Sequence, residues 1–232
     1  MTRRVLIVGH GRMGRLVESL CAEYGMEVAG AIGRDAAADP ARWPEADVAI
    51  DFSLGEAVPA NLPRLASRGM DVVIGTTGWQ AQADALKDEA ARYPVGVVAA
   101  SNFALGVNLF AALAERAAEL FASHPEFGAW IHELHHAAKR DAPSGTALTL
   151  QGAMLAAGYD CAIDVSSTRA GSIPGTHTIG FDAAAETITL THTARDRSIF
   201  ARGALEAARW VAGRRGWFSM RDVLALPRGG GT

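Results

Sequence analysis

The hydrophobic pattern divides the chain into two regimes. Up to about residue 103, short and mainly apolar runs alternate with segments whose apolar residues recur every three or four positions. The runs 4–8, 26–32, 48–50, 71–74 and 95–98 read as strands buried on both faces. Met13, Leu16, Val17, Leu20 and Cys21 mark an amphipathic helix over 12–24, and the spacing predicts further helices over 55–68 and 80–92. Strands and helices in this rhythm build βαβ units, hence an α/β, Rossmann-type, doubly wound parallel sheet. Beyond residue 103 the rhythm changes. An alanine-rich helix fits 105–122, residues 127–136 look extended, and a helix follows Pro143 over about 145–157. Residues 176–181 and 186–193 alternate as an antiparallel hairpin around 182–185, and 198–213 are helical again. The pattern therefore predicts a smaller α+β domain over 105–206. It is inserted into a dinucleotide-binding domain made of 1–104 and a returning segment, 207–232. Hinges are expected near 103–106 and 205–207, and residues 228–232 read as a frayed tail.

Composition narrows the class. Hydrophobic residues make up 49% of the 232 and charged residues 20%, which is globular rather than disordered. A net charge of −3 offers no basic excess for a nucleic-acid backbone. No stretch approaches the ~18 apolar residues of a membrane span. The opening run Val5–Val8 is too short for a signal peptide. Cys21 and Cys161 are spaced neither as a metal pair nor as a redox pair. The expectation is a cytoplasmic protein with no nucleic-acid or membrane partner.

Gly9-His10-Gly11-Arg12-Met13-Gly14 is a GxGxxG turn that closes a strand and opens a helix. In that context glycines let backbone approach a pyrophosphate, and the helix start offers it unpaired N–H groups. The plainer alternative is a glycine-rich connection. At the end of the second strand Gly33-Arg34 stands where an NAD enzyme places an acid for the ribose, with Asp35 next. Arg34 suits a 2′-phosphate and so NADPH, whereas Asp35 suits the ribose of NADH, and the cofactor is read as NADPH or NADH. Gly75-Thr76-Thr77-Gly78 and Ala100-Ser101-Asn102-Phe103 close the fourth and fifth strands, the edge where such sheets bind ligands. Either is also an acceptable turn.

The densest chemical cluster is Glu133 to Thr146, E-L-H-H-A-A-K-R-D-A-P-S-G-T. Histidine exchanges protons near neutral pH, and lysine supplies a positive charge for a carboxylate. Ser144-Gly145-Thr146 begins a helix whose N–H groups suit an anion. The parts together suit a small acidic substrate receiving hydride. Adjacent His135 and His136 point apart on a strand and no third ligand is evident, so no metal is expected. Taken singly, the histidines read as core or surface residues, Ser144 as a helix cap, and Lys139-Arg140 as a solvated face.

These residues resemble the 4-hydroxy-tetrahydrodipicolinate reductase (dihydrodipicolinate reductase) family, whose signature is E-x-H-H-x-x-K-x-D-x-P-S-G-T. Other pieces fall in the family's order: Gly11–Gly14, Asp51-Phe52-Ser53, Gly75–Gly78, Ser101–Phe103 with Gly106-Val107-Asn108, Arg169-Ala170-Gly171 with His177-Thr178, and Arg221–Leu224. The resemblance spans nearly the whole chain. It implies that His135 is the general acid/base, that Lys139 is a proton donor or charge-bearing partner, and that His136, Gly145 and Thr146 contact the carboxylates of a small dicarboxylic ring substrate, with Ser144 close by. It implies that the glycine turn, Gly75–Thr77 and Ala100–Phe103 hold NADPH or NADH, and that the protein is a homotetramer assembled through the sheets of the second domain. The implied reaction belongs to the diaminopimelate route to lysine. Three departures stand out. The phosphate turn is one residue shorter than is common in the family, Gly33 replaces the ribose-binding acid, and the loop around Asp39–Trp43 is trimmed. Two other readings fit parts of the pattern: a reductase of another small acid on the same fold, and a non-catalytic NAD(P)-binding sensor.

Overall fold

The structure, a computed structural model, describes residues 2–33 and 40–227. The chain divides into two compact units: Met1–Leu105 with Ser198–Leu226, and Gly106–Arg197.

The first unit holds β1 (Arg3–Val8), α1 (Arg12–Leu20), β2 (Met26–Ile32), β3 (Val48–Asp51), α2 (Val58–Ala66), β4 (Asp71–Ile74), α3 (Ala83–Ala90), β5 (Gly96–Ala99), α6 (Ser198–Trp210), β10 (Gly216–Phe218) and α7 (Met220–Val223). Six parallel strands lie in the order β10-β5-β4-β3-β1-β2. Successive side chains of a strand point to opposite faces, so apolar runs serve two cores at once. Val5, Ile7, Val48, Ile50, Val73 and Val98 pack with α1 and α6, while Leu6, Val8, Ala49, Val72, Ile74 and Val97 pack with α2 and α3.

The boundary of this unit differs from expectation. The sequence pattern places residues 198–206 in the inserted domain and a hinge at 205–207. Instead α6 belongs to the first unit, because Ala201, Ala204, Leu205, Ala207 and Ala208 are buried in the core that α6 forms with α1, β3 and β4. Residues 205–207 lie inside that helix, and the units divide at Leu105/Gly106 and Arg197/Ser198. The predicted helix over 12–24 stops being α-helical at Leu20, continues as a 3-10 turn and ends at Gly25, whose φ of 67° suits glycine. The expected tail over 228–232 lies outside the described residues.

The second unit holds α4, which runs Leu105–Phe121 from the boundary, β6 (Gly128–His135), α5 (Gly145–Ala156), β7 (Ile163–Arg169), β8 (Thr176–Ala183) and β9 (Glu186–Thr193). Its sheet has the order β7-β6-β8-β9, with β6 and β7 parallel and the other pairs antiparallel. One face packs Ala129, Ile131, Ile179 and Phe181 against Phe110, Ala114, Leu150 and Met154 of α4 and α5. The other carries Trp130, His132, Ser166, Thr178 and Thr191. Trp130 lies where a Cβ on Gly180 would stand, and Thr178 and Thr191 hydroxyls pair at 3.0 Å. Among the described residues no helix is long and apolar enough to cross a membrane.

Candidate active site

Because all six strands of the first unit are parallel, the segments after β1, β3, β4 and β5 gather on one edge. Gly9 has φ 91°, and a Cβ there would stand 2.5 Å from the Phe52 carbonyl oxygen. A Cβ on Gly14 would overlap the Gly9 carbonyl. Gly11 caps α1 with extended backbone and no side chain, leaving that helix start bare. At Gly9 and Gly14 only glycine fits, and the cradle suits the pyrophosphate of a dinucleotide. Arg12 and Met13 form the first turn of α1, with Arg12 exposed.

Buried Asp51 ties the neighbouring loops together. Its Oδ1 accepts the Ser53 N–H at 2.8 Å and the Thr76 hydroxyl at 3.0 Å, and its Oδ2 accepts from Asn61 Nδ2 at 3.3 Å. Three of the expected cofactor residues therefore present something other than their side chains. Thr76 is buried with its hydroxyl on Asp51, while Thr77 is exposed. Phe103 is a core residue that meets Phe52 edge-on. His10 turns its Nε2 onto Glu18 Oε2 at 2.6 Å. Gly75 lies under the Phe52 ring. Ala100 and Asn102 are half-buried and Ser101 is exposed at the same edge, where Asn102 Oδ1 accepts the Ala104 N–H at 2.9 Å. Arg34 and Asp35 lie outside the described residues.

The second unit gathers charge instead. β6 alternates, so Ile131, Glu133 and His135 share the inner face while His132 and Leu134 take the other. Glu133 is wholly buried. Its Oε1 accepts from Arg169 Nη2 at 2.6 Å, Ser167 Oγ at 2.6 Å and the Ser144 N–H at 3.1 Å, and its Oε2 pairs with His135 Nδ1. Burial pushes this carboxyl up, but those donors and the field of His135 outweigh it and hold it down to about 2. Arg169 Nη2 also donates to the Asp141 carbonyl at 2.5 Å, tying the 136–144 loop to the strands.

His135 is buried, and its ring meets that of His177 edge-on at 5.1 Å. Burial first, then Lys139 and Arg169, lower its pKa, while Glu133 opposes them. His177 is held down to about 4, by burial and then by His135. Lys139 Nζ reaches both Asp141 oxygens at 2.8 Å, and the Asp141 carboxylate also takes the Gly145 N–H. At the start of α5, Gly145 is exposed and Thr146 half-buried. Ser144 is different. Its Oγ is buried, accepts the Ala147 N–H at 3.2 Å and pairs with His177 Nε2 at 3.1 Å, so it serves as the helix cap. His136 is half-buried just past the strand, and its carbonyl accepts the Lys139 N–H.

The sequence showed no third metal ligand, yet folding brings Glu133, His135 and His177 within 4.8 Å of one another. The donor types suit a cation. The Arg169 guanidinium on the same carboxylate already supplies an opposing charge.

Residues 3–103 match the family model "Dihydrodipicolinate reductase, N-terminus", and residues 106–224 match the model of its C-terminus. The chain belongs to the dihydrodipicolinate reductase family. A 4-hydroxy-tetrahydrodipicolinate reductase from Acidiphilium cryptum is 44% identical over 238 residues, covering 93% of this chain and 94% of the relative. Another, from Stenotrophomonas maltophilia, is 43% identical over 239 residues, covering 95% and 97%. Among solved structures, the dipicolinate-bound dihydrodipicolinate reductase of Paenisporosarcina sp. TG-14 shares the fold. Its TM-score is 0.77 over 94% of this chain and 98% of that one, at 23% identity.

Four residues of the site in this family member escaped a role on sequence grounds: Asp51, Glu133, Arg169 and His177. All four lay inside segments quoted for the resemblance, which was the available signal. Their roles depend on partners far along the chain, such as the 36 residues between Glu133 and Arg169.

Proposed function

We propose that this chain reduces 4-hydroxy-tetrahydrodipicolinate, by way of dihydrodipicolinate, to tetrahydrodipicolinate in diaminopimelate and lysine biosynthesis. One hydride and one proton are added and one water is lost. The observation that carries this reading is the grouping of a buried histidine, a lysine and the open start of α5 within one loop of the second unit. Gly145 and Thr146 offer N–H groups to one carboxylate, Lys139 balances the dianion's charge, and His136 lies beside them. His135 donates the proton to the ring carbon next to the one that receives hydride, and Lys139 stabilises the charge that hydride addition pushes towards the ring nitrogen.

A nicotinamide coenzyme, NADH or NADPH, supplies the hydride when bound. Gly9, Gly11 and Gly14 cradle its pyrophosphate, with His10, Arg12 and Met13 contributing backbone and the helix start. Gly75, Thr77 and Ala100–Asn102 line the edge, and Phe103 and Thr76 shape it from beneath. Arg34 would select between the two coenzymes. The protein works in the cytoplasm as a homotetramer. The hydroxyl-rich face of the second sheet, with Trp130, is the surface for that assembly.

The test follows NADPH and NADH oxidation by absorbance, with the ring substrate made in situ by its synthase from pyruvate and aspartate semialdehyde. Synthase-dependent oxidation is the expected result. Binding of both coenzymes without oxidation of either would turn the reading to a sensor. His135→Gln and Lys139→Ala should each lower kcat by about 100-fold or more while coenzyme binding persists.

A further inference from the structure

A histidine that gives a proton at one nitrogen works best when the other nitrogen is fixed, because the ring otherwise flips and changes tautomer. His135 is fixed on every side. Glu133, from the same strand, takes Nδ1. On the far side of the ring, Gly175 has φ 153°, and a Cβ there would stand 3.0 Å from Nε2. The edge of His177 from β8 supports the ring face. We propose that Glu133 is a positioning residue. It binds His135 Nδ1–H, assigns the reaction to Nε2 and stabilises the imidazolium that donates the proton. Gly175 leaves Nε2 uncovered.

In the step itself the Nε2–H bond breaks, the proton passes to the ring carbon, and the imidazolium becomes neutral imidazole with Nδ1–H still on Glu133. Glu133 neither gains nor loses a proton. Its bonds to Arg169, Ser167 and the Ser144 N–H keep it charged throughout. The same carboxylate thereby sets two parts of the site, since Ser144 caps the helix at which the substrate's carboxylate binds. The inference rests on the proposed role of His135.

The charged and titratable groups around His135 are Glu133 on β6, Arg169 on β7, His177 on β8 with His192 behind it on β9, and Lys139 in the loop. Their signs give a test that structural damage would not imitate. Glu133→Gln removes the anion that favours the imidazolium, so the limb of the kcat profile governed by His135 moves to lower pH. Arg169→Gln removes a repelling cation, so the same limb moves to higher pH. Glu133→Gln is expected to lower kcat by about 100-fold, with KM changed by less than about threefold and coenzyme binding intact. Glu133→Asp recovers part of the rate and of the limb's position. Nitrogen-15 spectra of the wild type should show His135 protonated at Nδ1 when neutral, and Glu133→Gln should show mixed tautomers. Equal kcat in Glu133→Gln, or shifts of the same sign in both variants, overturns the proposal. A His135→Gln variant that keeps full activity overturns instead the role of His135 on which it rests. If Glu133→Gln does not fold, the Arg169→Gln shift and the wild-type tautomer decide the matter.

Discussion

The two units solve the problem of holding a charged ligand in opposite ways. The coenzyme edge of the first unit is made of backbone. Its glycines admit the approach of main chain, and Asp51, its one buried acid among the described residues, is satisfied by neutral donors. The second unit is made of side-chain charge: a buried carboxylate on an arginine and a histidine, with a lysine beside a helix start. Backbone sites are sensitive to added volume and indifferent to pH. Charge networks tolerate volume at their rim and answer to pH.

The largest effect should come from volume. Gly14→Ala places a Cβ into the Gly9 carbonyl, and the turn has to move away from its position. Coenzyme affinity, measured by fluorescence titration, should fall by about 100-fold or more. Hydrogen exchange of the β6 and β8 amides should not change. A variant that binds normally would show that the turn has slack, and would remove the contrast between the two units.

The legibility of the molecule follows the same division. β1, β3, β4 and β5 were readable because both faces of their apolar stretches are buried, so each contains a short apolar run. β7 was not, because Ile163–Arg169 carries only two apolar residues. Its inner face ends in Ser167 and Arg169, which serve Glu133, and its other face holds Asp164, Ser166 and Thr168. β10 is three residues long, too short for any periodicity. The helix of residues 198–210 was legible as a helix, but alanine spacing does not say which sheet it covers. In the active site, His135, Lys139 and Gly145 were legible because they lie within one short segment. Arg169 and His177 arrive by strand pairing, which a linear pattern does not encode.

Acid should separate the units next. Burial holds the His177 pKa down to about 4 against an ordinary 6.5, so the unfolded chain takes up that proton first. Its contribution is whole above pH 6.5, drains as pH falls towards 4, and amounts to roughly 3 kcal/mol at ~1.4 kcal/mol per unit. Glu133, held down to about 2, adds a second loss between about pH 4.5 and 2. Hydrogen exchange of β6 and β8 should therefore lose protection from pH 6.5 downwards, ahead of β1 and β3. His177→Gln should shrink the first loss, to which His135 also contributes, and leave the second in place. Parallel loss in both units would mean that the charge network does not set the acid stability of the second.

Asp51→Asn probes the buried acid of the first unit. One oxygen acceptor becomes a donor facing the Ser53 N–H or Asn61 amide, which costs about 1–3 kcal/mol. Coenzyme affinity should fall about tenfold as the Phe52–Ser53 and Thr76 loops loosen, and the pH profile of kcat should stay where it was. A shifted profile would place Asp51 in the proton chemistry and blur the division between backbone site and charge site.

The smallest effect is the most informative about how the second unit receives its ligand. Asp141 now holds Lys139 with both oxygens and takes the Gly145 N–H, so an internal carboxylate stands on the groups proposed for the substrate's. A dianionic substrate has to displace it. Asp141 is exposed, so solvent screens the pair and it is worth no more than about 1 kcal/mol. Asp141→Asn keeps a side chain able to accept the Gly145 N–H but gives up the charge. KM should fall by up to about fivefold with kcat unchanged, and the gain should shrink as salt is added. A rise in KM would mean the reverse arrangement, in which Asp141 aims Lys139 at the substrate rather than competing with it.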